Sequence, residues 1–357
     1  MHIMKGGNPM ENKEIKFESV SNRLCKVADP WLFFHNGYYY LTYTGYKRTC
    51  VKKAKTLNEL KDAEPVTVFL PEEGHEWSLN HWSPEIHYYS EEDFGDDAGW
   101  YLLIALDDGQ NINHRMYVLK SLNGEPDGQY GNPITGEPNV PEKIRGKDDP
   151  TINEEWSVGT TDVRVNGSVY CMWVGERGRQ TDNFYQFIAL AKMEKPWLLS
   201  GKVGIICTPT EKWEMGGAGP TKSGKILPKV VEGATPVYAD DGRLFLIYTG
   251  SGYWSKYYAM GQLTYKGGDP CDASSWEKKK EPIFSMSDEI CGCGHASYTK
   301  SPTGDNIISY HAYIGQTTEG GRYSFVDTYS ITEDGVVIGD GSKHPRPDGT
   351  VLTFGTL

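Results

Sequence analysis

No stretch of the chain approaches about 18 uninterrupted apolar residues, so nothing in it reads as a membrane-spanning helix. Positive charge is short: 36 Lys and Arg stand against 48 Asp and Glu. The formal net charge of -12 repels nucleic acid and anionic membrane surfaces at long range, so neither is an expected partner. Cysteine is sparse as well, seven in 357 residues, too few and of the wrong parity for a complete disulfide framework, which favours a reducing compartment. The opening residues Met1 to Gly7 carry no apolar signal-peptide core. The chain is therefore read as cytoplasmic or, where a signal peptide has been removed, secreted. Helical periodicity is the last scarcity, its best instance being the short stretch Ala54 to Lys61.

Aromatic residues are plentiful, with 23 Tyr and 10 Trp. Two explanations stay open: flat rings suit the apolar faces of sugars, and Tyr and Trp are also favoured on half-buried strands. Runs rich in Tyr, Val, Ile, Phe and Thr are bounded by Gly, Asn and Asp clusters, as in an all-β chain. Strand pairs recur five times, at 31–43, at Ile86–Tyr89 with Trp100–Leu106, at 163–174, at 235–248, and at Ala296–Thr299 with Asn306–Tyr313. Further strands follow pairs two to five at Met116–Lys120, Phe187–Met193, Tyr257–Tyr265 and Tyr323–Ile331. The modules repeat every 55 to 80 residues or so, longer than familiar propeller repeats, which implies long connecting loops. The expected fold is an all-β, five-bladed β-propeller formed as one domain by residues 21–357, behind an N-terminal extension at 1–20, with Val351–Phe354 closing a blade. Segments 90–99, 121–155 and 210–230, rich in Gly, Pro, Asp and Glu, are excursions that either wall a site or only connect strands over the surface.

Three acids stand out by position. Asp29, Asp162 and Glu232 each precede a strand-like run that leads into a glycine-containing turn: Asn36-Gly37, Asn166-Gly167 and Asp240-Asp241-Gly242. Alone, an Asp before Pro is a turn former and a Glu before Gly a solvated charge. Together, at the starts of inner propeller strands, they would converge on the axis. Paired carboxylates in a sugar-sized pocket point to glycosidic bond cleavage, one protonated to serve the leaving oxygen and the other ionised to activate water or attack the anomeric carbon.

The runs Ala28-Asp29-Pro30-Trp31, Trp82-Ser83-Pro84-Glu85-Ile86-His87, Val231-Glu232-Gly233-Ala234 and Gly294-His295-Ala296-Ser297-Tyr298, with Asp162 between them, resemble glycoside hydrolase family 43. The resemblance implies a five-bladed propeller with Asp29 as general base, Glu232 as general acid and Asp162 orienting the acid and tuning its pKa. It also implies inversion of configuration, with Asp29 and Glu232 about 6.5 to 9.5 Å apart to admit a water. Trp82 becomes an apolar wall of the sugar pocket, the competing role being a core tryptophan. Arg322 meets substrate hydroxyls or else lies on the surface. His295 stands on the axis beside a calcium or similar cation, or is structural, and no organic cofactor is expected. Two departures stand out: Gly292-Cys293-Gly294-His295 replaces the family's Gly-Pro-Gly-His, and Ser83 replaces a common Ala. The first puts loop rigidity in question rather than the histidine. Read by itself, Cys291-Gly292-Cys293-Gly294-His295 is a poor zinc motif, with three cramped ligands and no second pair.

The runs Gly37-Tyr38-Tyr39-Tyr40, Ala54-Lys55-Thr56-Leu57 and Met193-Glu194-Lys195-Pro196-Trp197 are similar to the exo-acting α-L-arabinofuranosidase branch. The expected activity is removal of terminal α-L-arabinofuranosyl residues from arabinan, arabinoxylan or their oligosaccharides, with a plant cell-wall glycan as partner. β-Xylosidase and endo-arabinanase are alternatives within the family. A noncatalytic carbohydrate-binding propeller is the alternative of another class, and a protein-interaction propeller a third.

Overall fold

The computed structural model describes residues 15–356. Five antiparallel sheets follow one another along the chain. Blade 1 is Trp31–His35, Tyr38–Thr42, Thr49–Ala54 and Val66–Phe69. Blade 2 is Leu79–Tyr89, Gly99–Asp107 and Arg115–Ser121, with the short pieces Tyr130–Gly131 and Glu142–Lys143 on its outer edge. Blade 3 is Ser157–Val165, Ser168–Arg177, Tyr185–Lys195 and Leu198–Cys207, extended by Arg145–Gly146, which pairs in parallel with Leu198–Leu199. Blade 4 is Val231–Tyr238, Leu244–Gly250, Ala259–Tyr265 and Trp276–Lys278. Blade 5 is Ile290–Lys300, Asn306–Ile314, Tyr323–Thr332 and Gly335–Ile338. The molecule is the five-bladed propeller that the spacing of strand pairs predicts.

Its core is divided rather than central. Alternating apolar residues on both faces of each blade meet those of the next in five buried layers, one per junction. Between blades 3 and 4, for example, Val163, Met172 and Leu190 pack with Val231, Leu246 and Leu263. Stability thus resides between blades, and the axis is left free for polar groups.

The junction of blades 5 and 1 joins the two ends of the chain. Lys16–Ser21 pairs antiparallel with Val351–Thr356, and Val20, Leu352 and Phe354 enter the layer formed by Leu32, Tyr39, Ile307 and Val326. Leu24 and Val326 donate backbone hydrogen bonds to Ser324 and Asn22, stitching the segment after the ribbon to blade 5. The expected closing strand at Val351–Phe354 therefore forms, but in a ribbon over this junction and not inside a blade. Of the extension expected at 1–20, residues 16–20 belong to that ribbon and residues 1–14 lie outside the described residues. The expected helix at Ala54–Lys61 is displaced to Leu57–Asp62. Thr56 accepts a hydrogen bond from the Glu59 amide and caps it there, while Ala54 still belongs to a strand.

Candidate active site

Every inner strand breaks its pairing at one equivalent place. The last pair before the break is Trp82↔Ala105 in blade 2, Val158↔Val174 in blade 3, Glu232↔Thr249 in blade 4 and Gly294↔His311 in blade 5. In blade 1 the same place is Ala28, whose carbonyl accepts from the Thr44 amide. Pairing resumes three residues later, at Trp31, Glu85, Thr161, Thr235 and Ser297. The residue just after the last pair is left-handed in all five blades: Asp29, Ser83, Gly159, Gly233 and His295 have φ of 53°, 46°, 59°, 56° and 48°. Such bulges bend a strand and re-aim side chains. Left-handed backbone at Asp29, Ser83 and His295 is strain held in place by its surroundings, a pattern typical of functional sites. At Gly233 a side chain is excluded outright, since a Cβ would stand 2.9 Å from the His295 ring.

Residues from all five bulges ring a cavity of about 550 Å³: Asp29, Trp82 with Ser83, Val158 with Gly159, Glu232 with Gly233, and His295. Asp29, Trp82, Glu232, His295 and Arg322, all singled out from sequence, line it together. Asp162 does not. It lies beyond the bulge, opposite Cys171, on the face of the strand that packs between blades 2 and 3. Its Oδ1 meets His87 Nδ1 at 3.1 Å, its Oδ2 meets Arg164 Nη1 at 3.2 Å, and His87 Nε2 meets Glu85 Oε2 at 2.9 Å. Burial opposes the imidazolium, yet Asp162 and Glu85 push His87 up to about 9. At its bulge blade 3 offers the cavity Val158 and Gly159 instead of an acid, so the expectation that Asp162 orients and tunes Glu232 is corrected.

Asp29 is buried and Glu232 half-buried, and their proton affinities are driven apart. Burial would raise Asp29, but Arg322 and His295 hold its carboxyl well below the usual range. Its Oδ1 lies 3.1 Å from Arg322 Nη1 and 3.3 Å from His295 Nδ1. Its Oδ2 accepts from the Thr44 hydroxyl at 2.5 Å, and Thr44 in turn accepts from the Ser83 amide. The Asp29 amide donates to His311 Nδ1 at 3.1 Å. Burial, with Arg322 nearby, lowers His311 to about 4, so this ring is neutral and carries its proton on Nε2. The 3.2 Å approach of His311 Nδ1 to Asp29 Oδ1 is then a contact and not a donated bond.

Glu232 is raised, first by burial and further by the Asp29 charge, although His295, Tyr258 and Arg322 oppose the rise. The Tyr258 hydroxyl donates to Oε1 at 2.8 Å, which leaves Oε2 as the natural place for the proton. One carboxyl is thus kept ionised and the other is biased toward its neutral form.

The walls complete a sugar-sized site. Trp82 stacks on His114 with ring centroids 4.0 Å apart, and Asp107 holds His114 at 3.0 Å. The Arg322 guanidinium lies over Tyr253, 4.7 Å from the ring centroid. Of the expected loops, 210–230 contributes Lys225 to Pro228, and the Trp254 indole N–H donating to the Gly217 carbonyl pins it to blade 4. Segment 121–155 supplies no lining residue; Trp156, just after it, does. Sequence reasoning missed Trp156, Glu176, Arg179, Tyr253 and Trp254 on the walls, together with Thr44, Tyr258 and His311 behind the acids. Thr44 and His311 are cross-strand partners of Ala28 and Gly294, so aligning the five bulges would have found them.

The calcium expected beside His295 would rest on that single imidazole and on water. His295 faces Asp29, which raises its pKa against the lowering effect of burial, and among the described residues no group of three His, Cys, Asp or Glu side chains is arranged to hold an ion. Cys291 and Cys293 are buried free thiols.

Fold and site define a five-bladed propeller whose axial pocket holds one carboxyl kept ionised and one biased toward its neutral form among aromatic walls, the equipment of a glycosidase. Residues 24–337 match the model of the glycosyl hydrolases family 43, and the chain belongs to that family. It is 32% identical over 294 residues to an extracellular exo-α-(1→5)-L-arabinofuranosidase of Streptomyces avermitilis, covering 80% of this chain and 54% of that protein. It is 29% identical over 300 residues to α-L-arabinofuranosidase 43 of Humicola insolens, covering 82% of this chain and 56% of that one. The chain thus spans about half the length of these relatives. The crystal structure of an α-L-arabinofuranosidase from Lactobacillus brevis superposes with a TM-score of 0.72 at 24% identity, over 91% of this chain and 96% of that one. No helix among the described residues is long and apolar enough to cross a membrane.

Proposed function

We propose that the protein is an inverting exo-glycosidase that removes terminal α-L-arabinofuranosyl residues from arabinan, arabinoxylan or derived oligosaccharides. The observation that carries this reading is the opposed bias of two carboxyls lining one cavity, Asp29 held ionised and Glu232 pushed toward its neutral form. The sugar named in both relatives supports the choice of arabinofuranose, and the Streptomyces protein's description as extracellular supports a secreted setting, where polymeric arabinan is met.

In this mechanism Trp82 forms the apolar wall for the terminal sugar and Arg322 sits where it reaches a hydroxyl as well as Asp29. Glu232 gives its Oε2 proton to the glycosidic oxygen as the bond to the anomeric carbon breaks. Asp29 takes a proton from a water on the opposite face of the ring, and that water forms the new bond, inverting the configuration. Thr44, Arg322 and His295 fix the Asp29 carboxylate, so little reorganisation is needed during the reaction. Asp29 ends protonated and Glu232 ionised, and exchange with solvent restores both. No step runs through a metal ion.

A paired assay on aryl α-L-arabinofuranoside and aryl β-D-xylopyranoside tests the sugar, and NMR of the first-formed anomer tests inversion. Turnover of the arabinofuranoside with release of the inverted sugar is expected. Preferential cleavage of the xylopyranoside would move the assignment to β-xylosidase, and cleavage of neither, by folded protein, would reject it.

A further inference from the structure

Beside the axial cavity lies a second one, of about 690 Å³, between the blade-2 loop at Ile112–Arg115 and the ends of blade 3. Trp156, Glu176 and Arg179 line both. Arg179 grips Glu176 through Nε and Nη2, with Nη2 at 2.9 Å from Oε2, and points Nη1 and Nη2 at Asn111 Oδ1 at 3.4 Å. Its guanidinium also lies 5.8 and 5.7 Å from the ring centroids of Trp156 and Phe184. A planar fork held on several sides makes a fixed partition. Gln180, next along, exchanges hydrogen bonds with the Ile226 amide and carbonyl, tying the partition to the loop that walls the other side of the pocket.

Beyond the partition the lining is mixed in sign, with Arg115 and Arg177 facing Glu154 and Glu155. Arg115 is occupied with the Ile112, His114 and Glu154 carbonyls, whereas Arg177 is exposed. Donors and acceptors in balance suit hydroxyl groups better than a polyanion. We propose that this second cavity holds the leaving-group end of a neutral glycan chain and that the Glu176–Arg179 pair confines the axial cavity to one terminal sugar. The scissile linkage would then cross the rim that Arg179 forms. The proposal rests on the glycosidase reading above and adds to it where the rest of the substrate lies.

The test compares wild type, Arg179→Ala and Arg177→Ala on linear α-1,5-arabino-oligosaccharides of increasing length and on aryl α-L-arabinofuranoside. Wild type should release monosaccharide only, with kcat/KM rising about tenfold as the chain lengthens, because remote binding energy is spent at the reacting bond. Arg179→Ala should release disaccharide or longer products and lose most of that length dependence. Monosaccharide alone, with the wild-type length dependence, would overturn the partition. Arg179→Ala also strips contacts from two rings, so Arg177→Ala, which lines the second cavity but not the axial one and loses a single ring contact, with Phe187, provides the independent reading. Its KM for the tetrasaccharide should rise about fivefold relative to the aryl glycoside, and an unchanged ratio would overturn the subsite. Absence of turnover by wild type on every arabinofuranoside would instead overturn the assigned reaction. Calorimetric titration of the tetrasaccharide then judges the cavity on binding alone, where equal affinity of wild type and Arg177→Ala counts against it.

Discussion

Asp162 and Glu232 lie on equivalent inner strands of neighbouring blades, the first buried and the second half-buried. Glu232 stands at the bulge, where the strand turns its side chain to the axis; its polar partner is a tyrosine hydroxyl and it forms no ion pair among the described residues. Asp162 stands past the bulge, on the face that packs between blades, with His87 and Arg164 against its two oxygens. Partners set the outcome: burial raises both acids, but His87 and Arg164 bring Asp162 below the ordinary carboxylate value while Glu232 stays raised. A desolvated acid with no ion pair is suited to give up a proton, and one paired with two cations is suited to hold blades together. One side of a bulge or the other decides which role the chain assigns.

The sharpest way to break this contrast is to neutralise each acid in turn. Glu232→Gln and Asp29→Asn should each lower kcat/KM about a thousandfold on an unactivated arabino-oligosaccharide, with the fold retained by circular dichroism. Asp162→Asn should leave the rate per folded molecule close to wild type. If Asp162→Asn costs as much activity as Glu232→Gln, Asp162 belongs to the site after all.

Stability should show the reverse order. Asp162→Asn leaves the His87 imidazolium with one carboxylate fewer in a buried junction, and breaking such a group costs about 3 to 5 kcal/mol. Urea unfolding would register this as a lower midpoint at unchanged slope. A loss below about 1 kcal/mol would mean that Arg164 and Asp162 are screened like a surface pair.

The same junction carries a pH signature. His87 is raised to about 9 from an ordinary 6.5, so its contribution is fully present below about pH 6.5 and is lost as pH rises through 9, on the order of 3 kcal/mol. Wild type should therefore lose stability between those limits, and His87→Gln, less stable at pH 6, should be flatter over the same range. Parallel profiles for the two proteins would show that His87 is neutral throughout.

Much of this was legible in advance because strand alternation and turn glycines are local signals. The five blades follow from them, and Asp29 and Glu232 were found because a bulge at a strand start leaves an acid beside Pro30 or Gly233. Asp162 was misplaced for want of a count. Asp29 lies seven residues before the turn at Asn36, while the residue seven before Asn166 is Gly159 and Asp162 is only four before it. The sequence also shows Glu85 and His87 but not that blade packing brings them against Asp162, a contact between strands far apart along the chain. The wall built by Trp156, Glu176, Arg179 and Trp254 was invisible for a related reason. Loop paths depend on tertiary partners such as Asn111 and Gly217, which no local pattern announces.

Gly159 gives the subtlest test, because it occupies the bulge position filled by Asp29 in blade 1 and lines the cavity without a side chain. Its φ of 59° resembles the 53° at Asp29, and a Cβ there would meet only Val174 Cγ2, at 3.4 Å. Gly159→Asp therefore adds a carboxylate to the cavity for about 1 to 2 kcal/mol of backbone strain. The new charge disfavours ionisation of Glu232, raising a pKa that is already raised. Activity needs Glu232 protonated, so the alkaline limb of kcat/KM should move to higher pH, while the rate at the optimum changes by no more than a few fold. Gly159→Asn has the same shape and strain without the charge, and its limb should stay with wild type. If Asp and Asn shift the limb equally, or neither does, Gly159 is not electrostatically coupled to the acid, and the distinction between the two sides of the bulge would then concern packing rather than proton affinity.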